Sequence, residues 1–483
     1  MALSLPPFGW WPLAFAGFGA LAVALGDQPV RRRLLIGAAF GLGQFTIGLW
    51  WMGEFNLAGS AAVVALQAAF LALAAALAPP GAGRAVALPA ALMLVEAARG
   101  AWPFGGLPMA GAALGQVAGP LGATARVGGQ LGLVVLAATA GVALAAAVGR
   151  RWTAAGVAAA VVVGGGLLGQ VAPDGGSAEA TLAVAAVQGG GARGFRAADV
   201  DEAQVFEAQL AASRLLQPPL DLVLWPEDVV DVEGPVGPTP DAAVVAAEAR
   251  RLGATLVAGV IEGEPPAGGD PDGVGRFRNA AVGWGPGGDI VARYEKVRRV
   301  PFGEYIPGRA FFDRLADLSP VPRDAIAGSG PGLLRTPAGE LGVLISYEVF
   351  FADRARAAVR AGGRLLLVPT NAASFETSQV PLQELAAARL RAVESGRDLV
   401  QAAPTGASAV VDHHGRVLAL STLGERQVVR GTVALRGDRT VYTVIGDWPL
   451  LALAAAALCG AWGRAAAAVR RAPPRRAGSR RGR

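Results

Sequence analysis

A chain of 483 residues, 53% of them hydrophobic and with a mean hydropathy of +0.43, has room for a membrane bundle beside a soluble domain, and is too apolar for a soluble protein alone. Its net charge of +6 does not argue for nucleic-acid binding, because the arginines sit at the ends of apolar runs and in the tail Arg470–Arg483 rather than along one amphipathic face. The single cysteine, Cys459, falls inside the last apolar run, which excludes a disulfide framework, a CxxC redox pair and a cysteine-based zinc site.

In chain order, runs long enough or nearly so to cross a hydrocarbon core of about 30 Å occur at Phe8–Leu25, Leu34–Trp51, Leu57–Leu77, Ala85–Ala98, Leu131–Val148, Trp152–Val171 and Trp448–Trp462. The fourth and the last are short. No basic segment precedes the first and more spans follow it, so it does not read as a signal peptide. Basic loops at Arg31–Arg33, Arg84, Arg150–Arg151 and after Arg464 alternate with the nearly charge-free stretches Glu54–Ser60 and Gly100–Gln130. By the positive-inside rule this predicts seven crossings, with the N-terminus and the whole of Ala172–Asp447 outside and the tail inside. An N-terminus that starts outside predicts one more helix ahead of it. Trp10, Trp11, Trp50, Trp51 and Trp448, at span ends, read as an interfacial belt. Glu96 and Arg99 are spaced to pair at i,i+3, a structural role.

After the Gly/Pro-rich junction Val171–Gly176, short β-rich runs alternate with helical periodicity. Strands are predicted at Thr181–Gln188, Asp221–Trp225, Thr255–Ile261, Asn279–Gly283, Ile290–Tyr294, Leu341–Ile345, Arg364–Pro369 and Ser408–Val411. Helices are predicted at Val205–Leu216, Asp241–Leu252, Ala352–Ala361 and Leu382–Ser395, the last with Pro381 in its first turn. This alternation implies an α/β layered domain. The chain thus divides into N-terminal transmembrane helices (1–171), an outer α/β domain (178–440), a C-terminal transmembrane helix (447–465) and a basic cytoplasmic tail (466–483). The only histidines, His413 and His414, lie in Asp412-His413-His414-Gly415, which reads as a solvated turn between two strands, so a Ser-His-Asp triad is not expected.

Three strings could carry chemistry. In Leu224-Trp225-Pro226-Glu227 a buried strand ends on a carboxylate, where α/β folds place working groups. In Tyr294-Glu295-Lys296 the chain spends its only lysine, a compact ammonium with three donors and a tunable pKa, where every other basic residue is arginine or histidine. In Leu341–Glu348 an apolar strand runs into a short turn that presents Ser346 and backbone N–H groups suited to an oxyanion. Singly, each string also admits a plain reading: a loop acid, a chance lysine, a serine that merely ends a strand.

Together the strings resemble the nitrilase (carbon–nitrogen hydrolase) superfamily, and with the flanking spans they look like the bacterial apolipoprotein N-acyltransferases. The resemblance runs over nearly the whole chain. It covers Pro7-Phe8-Gly9-Trp10-Trp11-Pro12-Leu13, Gly41–Phe45 through Trp50-Trp51, Val187-Gln188-Gly189, Trp225-Pro226-Glu227 and the spaced Tyr294…Lys296…Val300-Pro301-Phe302-Gly303-Glu304-Tyr305. Downstream it takes in Ala388–Arg397 and Thr405–Ser408. It implies a polytopic helical membrane bundle carrying a nitrilase-like αββα sandwich. It also implies a two-step transfer in which a nucleophile takes an acyl chain from a membrane phospholipid and passes it to the α-amino group of a lipoprotein's diacylglyceryl-cysteine. By motif, the general base falls on Glu227, the oxyanion-holding lysine on Lys296 and the nucleophile on Ser346. Glu304 and Glu348 match the supporting acids, and Tyr347 the aromatic beside the nucleophile. The implied setting is a monomer in the bacterial inner membrane, with its catalytic domain on the extracytoplasmic side and no metal or cofactor. The chain departs from the family pattern at Arg298 (commonly His), Pro404 (commonly Asn) and above all Ser346, where the pattern asks for Cys. A serine hydroxyl is far less acidic than a thiol and its acyl ester is less reactive toward an amine. Two other readings therefore stand beside the transferase: a membrane-tethered amidase or nitrilase that uses water, and a catalytically weakened or inactive lipoprotein-binding homologue.

Overall fold

The computed structural model describes residues 1–191, 201–264, 274–314, 317–375 and 378–471. Helices α1 (Pro12–Leu25), α2 (Val30–Gly48), α3 (Leu57–Leu77), α4 (Arg84–Arg99), α5 (Ala125–Val148) and α6 (Trp152–Val171) come first. Among the described residues, four segments are long and apolar enough to cross a membrane by length and composition: Leu57–Leu77, Gly122–Val148, Trp152–Val171 and Trp448–Ala468. The helix α1 is apolar but shorter, at 14 residues. Helices α2 and α3 approach closely because Gly37 and Gly41 carry no side chain; a Cβ there would come within 2.6 Å of Ala75 and Ala68. The run expected through Trp51 ends as a helix at Gly48, and Trp50–Glu54 forms a 3₁₀ turn. Trp51 faces the α/β domain rather than lipid, its ring 4.8 Å from that of Phe375, whereas Trp10, Trp50 and Trp448 are exposed. The Glu96–Arg99 pair closes at 2.8 Å, and Arg99 is fully buried with Gln67 as a second partner.

Then follow β1 (Ala180–Gln188), α7 (Glu202–Ser213), β2 (Leu222–Leu224), β3 (Val230–Glu233), α8 (Pro240–Leu252), β4 (Thr255–Glu264), β5 (Gly275–Trp284) and β6 (Ile290–Glu295). The middle of the domain holds α9 (Arg309–Phe312), β7 (Arg323–Ile326), β8 (Leu333–Thr336), β9 (Gly339–Val343), α10 (Ala352–Arg360), β10 (Leu365–Pro369) and α11 (Val380–Ser395). It ends in β11 (Leu399–Ala402), β12 (Ala409–Val411), β13 (Val417–Leu420), β14 (Gln427–Leu435), α12 (Val441–Ile445) and α13 (Trp448–Arg471). One sheet has the order β14-β1-β2-β4-β5-β6, with β3 beside β4 and β7 beside β5; the other runs β13-β12-β11-β10-β9-β8. Val184, Leu224 and Val257 of the first meet Leu341, Val343 and Leu367 of the second in one core. Helices α7 and α8 cover the outer face of the first sheet and α10 and α11 that of the second, which is the expected αββα sandwich. Strands β3, β7, β8, β11, β13 and β14 have no counterpart in the sequence reading. All but β14 are four residues long, too short for a period to register, and β14 has its apolar alternation broken by Arg430-Gly431 until nine register pairs with β1 hold it. Helix α13 continues through Arg471, past the expected end of the span, and residues 472–483 of the expected tail lie outside the described residues.

The outer helical layer is also the docking surface of the membrane bundle. Helix α11 is buried nearly all round, against its own sheet on one side and α5 and the turn Ala112–Gly115 on the other. Gln383 accepts from the Ala110 N–H (2.9 Å) and donates to the Gly48 carbonyl (2.8 Å), while Gln379 donates to the Ile47 carbonyl (2.7 Å). The His413-His414 turn does connect β12 to β13, but it is not freely solvated: Asp398 lies 3.3 Å from His413, and Arg126 at the start of α5 reaches His414. Because Gln383 serves backbone groups of two separate segments, Gln383→Leu is expected to orphan both, at about 1–3 kcal/mol each. Thermal unfolding in detergent micelles checks this; an unchanged midpoint would mean that the interface holds without Gln383.

Candidate active site

Strand β2 ends at Leu224, one more ladder bond runs from Trp225 N–H to the Val257 carbonyl (2.8 Å), and Pro226 then turns the chain. Glu227 is thereby laid across β4 at Gly259, where a Cβ would stand 2.4 Å from the Glu227 Cα, so only glycine admits the crossing. Lys296 follows the last residue of β6 and is held by its N–H to the Asn279 carbonyl (2.9 Å). Its ammonium donates to Glu227 Oε1 at 2.8 Å and to Glu304 Oε1 at 2.6 Å. Glu304 is fixed in turn by the Val300 N–H (2.7 Å), and Asn279 Nδ2 donates to Glu227 (2.8 Å) and Glu304 (3.2 Å). Lys296 is 2% exposed and Glu227 5%. Burial works against the ammonium, but the two carboxylates outweigh it and hold its pKa above the ordinary lysine value. Burial raises the Glu304 carboxyl against the pull of Lys296. One cation thus faces two acids in a dry site.

Ser346 opens a 3₁₀ turn directly after β9 and Ile345, with its backbone at φ +47°, a left-handed conformation that non-glycine residues rarely adopt. What holds that strain is Glu348, which is fully buried. It accepts from Ile345 N–H (3.0 Å), from Val297 and Arg298 N–H (2.8 and 3.1 Å) and from the Tyr294 hydroxyl (2.8 Å), with Arg354 3.5 Å away. Glu348 therefore ties the serine turn to the segment following Lys296. Tyr347 points the other way, its hydroxyl donating to the Gly106 carbonyl of the bundle loop that follows α4 (2.8 Å). Beside it lies a cavity of about 150 Å³ lined by Phe104, Gly105, Arg298, Arg299, Tyr305 and Phe351, among others. Arg298 stacks on Phe351 and pairs with Asp353, and the Pro404 carbonyl accepts from Gly190 N–H.

The structure thus brings Glu227, Lys296 and Glu304 into direct contact, and α11 packs Glu384 against the turn that carries Ser346. That buried α11 carboxyl feels the charges of Glu227 and Lys296. Sequence reading missed Asn279, Thr370 and Glu384. The available signal was a polar residue at the head of the apolar run Ala280–Trp284 for Asn279, and an acid on a helix that turns out to be buried nearly all round for Glu384. Among the described residues, Asp174, His413 and His414 alone gather in metal-ligating proximity. The Arg126 guanidinium already contacts His414 there, which opposes a cation.

Residues 1–143 match the family described as apolipoprotein N-acyltransferase N-terminal domain, and residues 183–439 match carbon-nitrogen hydrolase. An apolipoprotein N-acyltransferase of Allorhizobium ampelinum is 31% identical, over 90% of this chain and 88% of its own. One of Methylococcus capsulatus is 32% identical, over 93% and 92%. The chain belongs to the apolipoprotein N-acyltransferase family. Among solved structures, Saccharomyces cerevisiae Nit3 of the nitrilase superfamily aligns with 53% of this chain and 91% of its own, at 20% identity and a TM-score of 0.41. In this acyltransferase-family chain the serine, lysine and acids sit in the carbon–nitrogen hydrolase part, and the loop after α4 meets their neighbours Tyr347 and Gln383 through Gly106 and Ala110.

Proposed function

We propose that the protein transfers an acyl chain from a membrane phospholipid to the α-amino group of a lipoprotein's diacylglyceryl-cysteine, through an ester on Ser346. Glu227 takes the proton of the Ser346 hydroxyl as it attacks the phospholipid ester and returns it to the departing lysophospholipid. Lys296, with a backbone N–H of the turn after Ser346, holds the oxyanion. In the second step the amine attacks the ester and Glu227 takes its proton. The observation that carries this reading is the buried Lys296 shared between Glu227 and Glu304 in a domain docked onto a membrane bundle, where lipid-anchored donor and acceptor can both reach it. Working as a monomer in the bacterial inner membrane, the protein would hold this domain on the extracytoplasmic side. In support, Arg33, Arg84 and Arg151 gather at one end of the bundle, while the loops that meet the α/β domain belong to the other.

The test uses the full-length protein in phospholipid micelles carrying a labelled acyl chain. Peptide mapping is expected to place the label on Ser346, and added diacylglyceryl-cysteine lipopeptide is expected to carry it off on its α-amine. Label released only as free fatty acid would favour the hydrolase, and an unlabelled Ser346 would remove the reading altogether. Ser346→Cys is expected to label as well and to discharge faster to the lipopeptide, since a thioester is the more reactive acyl donor to an amine.

A further inference from the structure

Glu384 is 4% exposed on α11, and its two oxygens differ. Thr370, just past β10, donates to Oε1 at 2.9 Å, whereas Oε2 is buried with no hydrogen-bond partner among the described residues. Helix α11 packs against the turn that carries Ser346, so the carboxyl with its unpartnered Oε2 is buried beside the serine turn. An ionised carboxylate with an unsatisfied oxygen in such a place is costly, and the group escapes the cost by staying protonated. Burial first, and then the negative Glu227, push it up to about 8, against the opposing effects of Thr370, Lys296 and Ser346. At neutral pH the site therefore holds two unlike acids. Glu227 has an oxygen accepting from Lys296 and Asn279, whereas Glu384, beside the serine turn, meets Thr370 alone and its carboxyl is raised. Environments that separate two carboxyls in this way assign an acid and a base.

We propose that Glu384 is a catalytic acid that gives its proton to the Ser346 oxygen when the amine displaces the acyl group from it. This rests on the acyl-Ser346 reading above. The need is specific to serine: a thiolate leaves unaided, while an alkoxide is too basic to leave without a proton. In the transfer step the amine nitrogen bonds to the acyl carbon and loses one proton to Glu227. The bond from that carbon to Ser346 Oγ breaks, its electron pair stays on Oγ, and Oγ takes the proton of Glu384. Glu227 is left protonated and Glu384 ionised, and one proton passing from the first to the second restores both.

The experiment follows the two half-reactions separately in full-length protein: the burst of lysophospholipid on mixing with phospholipid, and discharge of the acyl-enzyme to a diacylglyceryl-cysteine lipopeptide. Glu384→Gln is expected to slow discharge by about 10²-fold and to leave the burst within about threefold, so that acyl-Ser346 accumulates. In a Ser346→Cys background the same substitution is expected to cost discharge less than about threefold, a non-additivity that a structural role for Glu384 would not produce. Equal losses in the two backgrounds, a lost burst, or unchanged discharge would each overturn the proposal. A pH series needs no Glu384 variant. The ratio of discharge rates, serine enzyme over Ser346→Cys, cancels the amine's own titration and is expected to fall as pH rises through about 8 and Glu384 loses its proton. Glu227 and Lys296, the charged groups among the described residues that act on Glu384, are present in both proteins; a flat ratio overturns the proposal. If the wild type never labels Ser346, it is the acyl-enzyme reading that fails, whatever Glu384 does.

Discussion

Lys296→Met is expected to reduce acyl transfer by about 10³-fold or more, because one side chain serves two functions. As an oxyanion donor in a dry site it is worth about 10²–10³ in rate by itself. Among the described residues it is also the one cation in contact with both Glu227 and Glu304. Without it, two buried carboxyls share a site with no counter-charge, one of them keeps a proton, and the base that must deprotonate Ser346 is weakened at the same time. Lys296→Arg is not expected to rescue, since a planar guanidinium does not fit a site where the ammonium is 2% exposed and meets both acids within 2.8 Å. The measurement is the initial rate of N-acylation at saturating lipopeptide, on protein shown by gel filtration to be monodisperse. A methionine variant within tenfold of wild type would mean that the oxyanion is held elsewhere.

Lys296 is legible in the sequence because it breaks a compositional rule: a chain that uses arginine throughout keeps one lysine. Glu227 and Ser346 were legible because apolar strands stop abruptly in front of them, and a strand end is a place periodicity finds well. The rest of the site depends on chain crossings that no local pattern records. Asn279 matters because β5 runs antiparallel to β4 and so sets its amide beside Glu227, fifty-two positions away in sequence. Glu384 matters because α11 lies over the serine turn; read as a helix alone, Gln383-Glu384 looks like a polar face. It became a buried face only once the membrane bundle covered it, with Gln383 bonded to two bundle segments. The fold divides the same way. Long runs such as β1, β4 and the apolar helices announce themselves, while β7, β8 and β13 are four-residue pieces that exist as strands only through their neighbours. The two histidines show the converse limit: their turn was readable, its docking onto Arg126 was not.

Glu348→Ala is expected to lower stability by about 3–5 kcal/mol, the cost of breaking a buried charged network from one side. Its carboxylate accepts from three backbone N–H groups on two separate segments and from the Tyr294 hydroxyl, which itself accepts from Arg354 (2.8 Å). Removing it leaves those donors facing a void and the Arg354 guanidinium without its buried counter-charge. Glu348→Gln keeps the volume but turns one acceptor into an NH₂ group that confronts existing donors, so it is expected to fall between alanine and wild type. Function should fail before folding does. Ser346 keeps its left-handed backbone, and Lys296 its reach, because Glu348 joins the two turns; a displacement of about 1 Å between reacting groups can cost about 10² in rate. Thermal unfolding in micelles reads the first effect and the lysophospholipid burst reads the second. If Glu348→Gln kept a full burst while losing stability, the link between the two turns would be structural alone, and the strain at Ser346 would have to be held by the sheet behind it.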